Sequence, residues 1–157
     1  MPEPPDLPPW FEDVRPEWID YNGHLSEGYY VVVFGFATDA VMPRFGMTPE
    51  YLVETGTSLY SVEAHVRYLD QVPPGARLEV RSSIIGVTAK LLWLWHEMWS
   101  PQEPGGTARL RATEEVLMLH VDSRAGRACP FPDALRARLD ALVVPPPEHA
   151  SRRIGPL

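Results

Sequence analysis

The sequence predicts an α+β domain in which a long antiparallel sheet wraps around a central buried helix and a short C-terminal helix closes one end. Three observations carry that prediction. From Tyr29 to Met42 the chain is apolar nearly all round, the pattern of a helix enclosed by protein on most sides. From Ser58 to Val121 it changes to four long strand-like stretches separated by turn residues. One helix cannot cover both faces of so long a sheet. The sheet must therefore curl around it and leave an outer edge or face for another subunit.

The elements follow in order. The first nine residues hold five prolines and read as an extended arm. Residues 10–144 form one domain without internal repeats, and residues 145–157, opening with Pro145-Pro146-Pro147, form a loose tail. A first short strand is predicted from about Phe11 to Trp18, then a loop from Asp20 to Leu25. Ser26 is the candidate N-cap and Glu27 an acid in the first turn. The helix is predicted over Glu27 to Phe45, with Pro43 and Gly46 marking its end. A short turn near Pro49 to Glu54 leads to the first long strand, Ser58 to Tyr68. There Tyr60, Val62, Ala64, Val66 and Tyr68 fall on one face, and Leu59, Ser61, Glu63, His65 and Arg67 on the other. Pro73-Pro74-Gly75 turns the chain. Further strands are predicted over Arg77 to Val87, Leu91 to Ser100 and Thr107 to Val121, joined at Ala89-Lys90 and at Pro101 to Gly106. A tight turn at Asp122 to Gly126 precedes the amphipathic helix Pro132 to Leu142.

Composition narrows the function classes. The chain has 157 residues, 45% hydrophobic and 22% charged, which suits one soluble globular domain. Its net charge of −7 argues against nucleic acid or an anionic membrane as the main partner, because both reward a basic face. The longest apolar run, Tyr29 to Ala37, is too short to span a bilayer. The N-terminus lacks the basic and apolar regions of a signal peptide. A single cysteine, Cys129, permits no internal disulfide, so a cytoplasmic setting is expected. Cys129 sits between Ala128 and Pro130 with no evident base partner and reads as structural. No nucleophile elbow, phosphate loop or dinucleotide fingerprint occurs, and no metal or redox cofactor is implied.

The chemistry concentrates in Trp18-Ile19-Asp20-Tyr21-Asn22-Gly23-His24-Leu25. A carboxylate, a carboxamide and an imidazole alternate just ahead of the buried helix. Asp20 either takes a proton from water or attacks a carbonyl, or it merely caps the loop. Asn22-Gly23 is equally a turn signal. The amides near Leu25, Ser26 and Glu27 stand at the positive end of the helix, where they can polarise a thioester oxygen. Glu63 is either a second site carboxylate or part of a solvated strand face. Trp93 and Trp95 either pack in a core or interface, or line an acyl pocket, where their ring faces would attract a quaternary ammonium.

With these residues in place, the Asp20-Tyr21-Asn22-Gly23-His24-Leu25 block, the buried helix and the long strands resemble the hotdog-fold acyl-CoA thioesterases. The resemblance covers about Val14 to Leu142. More narrowly, Trp18 to His24 with Val62-Glu63-Ala64-His65, Leu119-His120-Val121-Asp122 and Gly126-Arg127-Ala128 is similar to the betainyl-CoA thioesterases of carnitine degradation. Leu25-Ser26 and Leu91-Leu92-Trp93 depart from that narrower pattern. The Asp20, Asn22, His24 triplet with Glu63 also resembles the plant acyl-carrier-protein thioesterases.

The resemblance implies Asp20 as nucleophile or general base, Asn22 and His24 orienting the carboxylate and water, and Glu63 assisting. It implies a homodimer, or a dimer of dimers, with two sites built at the subunit interface. The substrate would be an acyl-CoA, so coenzyme A arrives as substrate and no cofactor is required. Leu25, Ser26, Glu27, Tyr60, Trp93 and Trp95 form the expected acyl-binding set, and Arg67, Arg81, Lys90 and Arg127 are candidates for the CoA phosphates. Two alternatives stay open: hydrolysis of acyl-carrier-protein thioesters, and a non-catalytic subunit that binds acyl-CoA.

Overall fold

The computed structural model describes residues 7–151; residues 1–6 of the predicted arm and 152–157 of the predicted tail lie outside the described residues. Strand β1 (Trp10–Asp13) is followed by a single 3-10 turn at Pro16–Trp18. The expected strand to Trp18 thus stops short. Pro16 has no N–H for a ladder and starts the 3-10 turn instead. Helix α1 (Glu27–Val41) runs into a 3-10 turn at Met42–Phe45, ended by Gly46 at φ 102°. Helix α2 (Pro49–Thr55) replaces the expected short turn; Thr48 caps it by accepting the Tyr51 N–H. The long strands are β2 (Thr57–Tyr68), β3 (Arg77–Val87), β4 (Leu91–Pro101) and β5 (Ala108–Asp122), then the short β6 (Arg127–Ala128) and helix α3 (Asp133–Ala141).

The sheet is antiparallel throughout, in the order β1-β3-β4-β5-β2, with β6 added on β5. Helix α1 lies in its concave face. Val33, Phe34, Ala37 and Val41 of the helix are fully buried, against Leu78, Val80 and Ile84 of β3 and Leu92, Leu94 and Met98 of β4. Helix α3 covers the far end through Leu135 and Leu139. No helix among the described residues is long and apolar enough to cross a membrane.

Two features depart from the sequence expectation. Helix α1 is not enclosed on most sides: Val31 and Val32 are exposed beside Gly28 and Gly35. Three β-bulges also break the alternation. Register shifts leave Val62 of β2, Ile85 of β3 and Arg111 of β5 without opposing partners. The bulge at Val62 changes the phase of β2. Ser61 pairs Met118, then Glu63 pairs Leu117, so Ser61, Ala64, Val66 and Tyr68 share the concave side while Tyr60, Glu63, His65 and Arg67 share the convex side.

The core holds two titratable groups at paired positions, His96 on β4 and Glu114 on β5. His96 is fully buried. Thr38 Oγ1 donates to the Phe34 carbonyl, so it accepts from His96 Nε2 at 3.0 Å, while Ser82 Oγ donates to Nδ1 at 2.8 Å. The neutral ring is satisfied, and burial lowers its pKa to about 4. Burial likewise raises Glu114 to about 7.

The two act oppositely on stability. The unfolded histidine takes up a proton below pH 6.5 while the folded one refuses it down to about 4, so its contribution falls as pH drops through that window. The folded Glu114 keeps its proton to about 7 while the unfolded one releases it near 4.5, so its contribution falls as pH rises through that window. In Glu114→Gln the second slope is gone. Relative to the parent, unfolding free energy should then drop more steeply on acidification across this range, by up to about 1.4 kcal/mol per pH unit. Urea unfolding of both proteins at several mildly acidic pH values tests this, and parallel curves would contradict it.

Candidate active site

The loop ahead of α1 is a tight turn held at both ends. Ile19 and Leu25 form an isolated antiparallel bridge. Asp20 N–H donates to the His24 carbonyl at 3.0 Å and Gly23 N–H to the Asp20 carbonyl at 3.0 Å. Gly23 takes φ 79°, a left-handed conformation that glycine adopts freely. Trp18 anchors the entry: it is buried, its ring stacks on Tyr29 at 5.1 Å, and its carbonyl accepts the Ser26 N–H.

Asp20 fills the capping role and keeps a free oxygen. Its Oδ1 accepts the Asn22 N–H at 2.8 Å, a local side-chain turn. The residue is half-buried, and it lines a cleft of ≈ 580 Å³ together with Asn22, His24, Leu25, Glu27, Tyr30, Tyr68, Leu69, Asp70 and Gln71. The imidazole of His24 keeps Nδ1 buried and without a partner among the described residues.

The helix start is partly used up within the chain. Leu25 N–H donates to the Val72 carbonyl at 3.0 Å, and Ser26 N–H to the Trp18 carbonyl at 2.9 Å. These two amides are therefore not open for an oxyanion. The N–H groups of Glu27 and Gly28 have no acceptor among the described residues, and both residues are exposed. They are the unpaired donors that every helix start presents. Ser26 occupies the N-cap position, but its side chain makes no capping bond.

The opposite wall is the 69–72 segment, and sequence reading gave it no role. Its organiser is Arg111, the bulged residue of β5. Arg111 is fully buried. Its Nη1 reaches the Asp70 carboxylate at 2.6 Å, the Gln71 carbonyl at 2.8 Å and Gln102 Oε1 at 3.0 Å, and its Nε donates to Ser100. Its own carbonyl accepts the Leu69 and Asp70 N–H groups. Tyr30 and Tyr68 meet edge to face at 5.1 Å, and Tyr68 Oη donates to the Glu27 carbonyl at 3.3 Å. Burial raises both phenols; nearby Glu27 and Glu114 add to the rise at Tyr68.

Several expected site residues lie elsewhere in the single chain. Glu63 is on the convex sheet face, 3.0 Å from His65 Nε2, beside Trp93 and Glu115. The Val62 bulge puts it there, away from the Asp20 cleft. Tyr60, Arg67, Trp93 and Trp95 share that convex face, and Trp95 and Trp99 both donate to the Glu97 carboxylate. The tryptophans therefore do not line the Asp20 cleft within one chain. Arg81, also convex, is engaged by Glu79 and lies over Trp99. Lys90 sits at the β3–β4 hairpin tip and Arg127 on β6; both are exposed.

Cys129 does have an imidazole neighbour, His120 Nδ1, at 3.4 Å from its sulfur. That nitrogen donates to the Cys129 carbonyl at 3.0 Å, so it is not a base for the thiol.

A sheet curled around one helix, with a carboxylate and open amides at the helix start, defines a hotdog-type thioesterase architecture. Residues 14–139 match the Thioesterase-like superfamily, and the chain belongs to that family. It is similar to the betainyl-CoA thioesterase of Pseudomonas aeruginosa, with 38% identity over 147 residues and 90% of each chain covered. It is also 41% identical over 141 residues to the L-carnitine dehydrogenase/betainyl-CoA thioesterase of Agrobacterium fabrum, a match that spans 87% of this chain and 28% of that longer protein. Among solved structures, a Pseudomonas putida protein provisionally named a thioesterase superposes with TM-score 0.78 at 30% identity, over 98% of both chains. A Staphylococcus aureus protein solved in complex with CoA shares the fold, with TM-score 0.82 at 21% identity over 95% of this chain and 94% of that one.

Proposed function

We propose that the protein hydrolyses acyl-CoA thioesters to free acid and CoA, with betainyl-CoA the leading substrate. One observation carries the reading: Asp20, with one carboxylate oxygen free of partners among the described residues, lines a cleft together with Glu27, the first residue of α1, where the helix start leaves the Glu27 and Gly28 amides unpaired. Either water attacks the thioester carbonyl while its proton goes to Asp20, and the tetrahedral intermediate breaks its C–S bond; or Asp20 attacks, the C–S bond breaks to leave an acyl–Asp20 anhydride, and water then opens that anhydride to the free acid. In both routes the departing thiolate of CoA takes up a proton. The two amides stabilise the negative charge that develops on the carbonyl oxygen; one such donor is typically worth about 10²–10³ in rate. Asn22 and His24 orient the carboxylate and the water. Coenzyme A is part of the substrate, and no cofactor takes part. The named relatives of carnitine degradation support the choice of betainyl-CoA.

The active form in this reading is a cytoplasmic homodimer. Among the described residues β2 is an edge strand whose only ladder is with β5, and its bulged Val62 is exposed; Val31 and Val32 of α1 are exposed as well. An unpaired long edge with apolar neighbours favours pairing with a second copy. The Asp20 cleft ends at Tyr68 and Leu69, next to that edge, so a second copy would help close it.

Thiol release from a panel of acyl-CoAs tests the reading. Betainyl-CoA is expected to lead over short straight-chain and aromatic acyl groups. The same acyl groups presented on acyl carrier protein are expected to react more slowly. Absence of turnover on every thioester, with acyl-CoA bound by folded protein, would replace this reading with a binding role.

A further inference from the structure

The charged side chains that line the Asp20 cleft are of one sign. Among the described residues the lining holds the carboxylates of Asp20, Glu27 and Asp70 and no lysine or arginine. The three differ in what already offsets them. Asp70 is compensated within the chain: its Oδ2 accepts from Arg111 Nη1 at 2.6 Å and has Arg109 at 3.7 Å, and its Oδ1 accepts the Gln71 N–H at 2.9 Å. Asp20 gives one oxygen to the Asn22 N–H, and the other is the reacting atom of the mechanism above. Glu27 is left: it is exposed in the cleft, and its carboxylate has no hydrogen bond or ion pair among the described residues.

Its place on the helix gives this carboxylate a substrate to act on. Glu27 is the first residue of α1, and helix side chains lean back toward the N-terminus. The carboxylate therefore stands beside the unpaired amides that receive the thioester oxygen. The aromatic wall of the cleft is fixed to the same residue: Tyr68 Oη donates to the Glu27 carbonyl at 3.3 Å, and the Tyr68 and Tyr30 rings meet at 5.1 Å. The Glu27 charge is near enough to Tyr68 to help raise its phenol. For a neutral acyl group a carboxylate here is a handicap, because it repels the negative charge that develops on the carbonyl oxygen. For an acyl group that carries a cation next to its carbonyl, the same carboxylate is an attraction.

In a betainyl thioester a single methylene separates the carbonyl from the quaternary nitrogen. With the carbonyl at the helix start, the nitrogen must lie in the same cleft. A quaternary ammonium has no N–H to donate; it is held by negative charge and by ring faces. We propose that the Glu27 carboxylate, with the rings of Tyr30 and Tyr68, selects acyl groups with a cationic head and disfavours neutral ones of the same shape. The inference rests on the thioesterase reading above and concerns only its choice of acyl group. It moves the expected ammonium site from Trp93 and Trp95, on the convex face, to the start of α1. An acid in the first turn also suits the helix dipole, but that role is blind to the substrate, so a ratio between two substrates tells the roles apart.

The test compares betainyl-CoA with 3,3-dimethylbutanoyl-CoA, its neutral isostere, and reads the ratio of the two kcat/KM values. The intact enzyme is expected to favour the cationic ester. In Glu27→Gln the ratio is expected to fall about tenfold or more, the scale of one close charge pair in a partly wet cleft, with the cationic ester losing rate and the neutral ester gaining it. Glu27→Lys is expected to lower the ratio again. Glu27 is exposed, so both variants should fold, and circular dichroism checks this. An intact enzyme with no preference between the esters would overturn the Glu27 assignment while leaving the hydrolase standing. A ratio that falls by less than this in Glu27→Gln, or that does not drop further in Glu27→Lys, would do the same; equal losses on both esters would mean that the acid serves the helix alone. Failure of the intact enzyme on every acyl-CoA would instead remove the hydrolase reading and this inference with it.

Discussion

Asp20→Asn is expected to lower kcat for thioester hydrolysis by about 10²–10⁴-fold, the usual worth of a positioned general base. The fold should not change. Asparagine keeps an oxygen at the position that accepts the Asn22 N–H, so the local turn survives. It loses the proton affinity and the nucleophilicity of the carboxylate. Thiol release measured beside a thermal melt separates the two effects. A variant with unchanged melting and full activity would refute Asp20 as the reacting group. A variant that melts early would show that the carboxylate serves the turn and not the chemistry.

Arg111→Leu is expected to be the most destabilising single change near the site. The guanidinium is completely buried and satisfies the Asp70 carboxylate, the Gln71 carbonyl, Gln102 and Ser100 together. Removing one partner of such a buried pair typically costs about 3–5 kcal/mol, because the groups left behind stay desolvated. At about 2–4 °C per kcal/mol for a chain of this size, Tm should fall by about 6–20 °C. Arg111→Lys should recover only part of this, since an ammonium cannot reproduce the guanidinium fork. The 69–72 segment would loosen and take with it the Leu25–Val72 hydrogen bond that docks the Asp20 turn. Scanning calorimetry of both variants checks the order; a Leu variant melting within 2 °C of the parent would mean that the segment is held by other contacts.

These two residues differ sharply in how visible they are in the sequence. Asp20 stands in a run of polar residues at a predicted helix start, and the physics of unpaired helix amides points to it directly. Arg111 sits where alternation should have put it on a sheet face, and the bulge turns it sideways into a loop instead. The long strands and α1 were legible because Pro73-Pro74-Gly75, Pro101 to Gly106 and Gly126 punctuate clear hydrophobic patterns. Glu114 was legible in principle: it falls in phase with Ala112, Val116 and Met118, all buried on the concave face. The sequence reading missed it because strand carboxylates usually face solvent. Glu63 shows the reverse failure. Counting in twos from Leu59 put Glu63 beside it, whereas the bulge leaves Leu59 buried and Glu63 outside.

Val62 also bears on how this chain can change length over generations. Ser61 and Glu63 already oppose consecutive residues of β5, so losing Val62 would leave every other side chain of the strand pointing where it does now. Losing Ala64 or Val66 instead would swap inside for outside along the rest of the strand. A gap in related sequences is therefore expected at position 62 and should be purged at its neighbours.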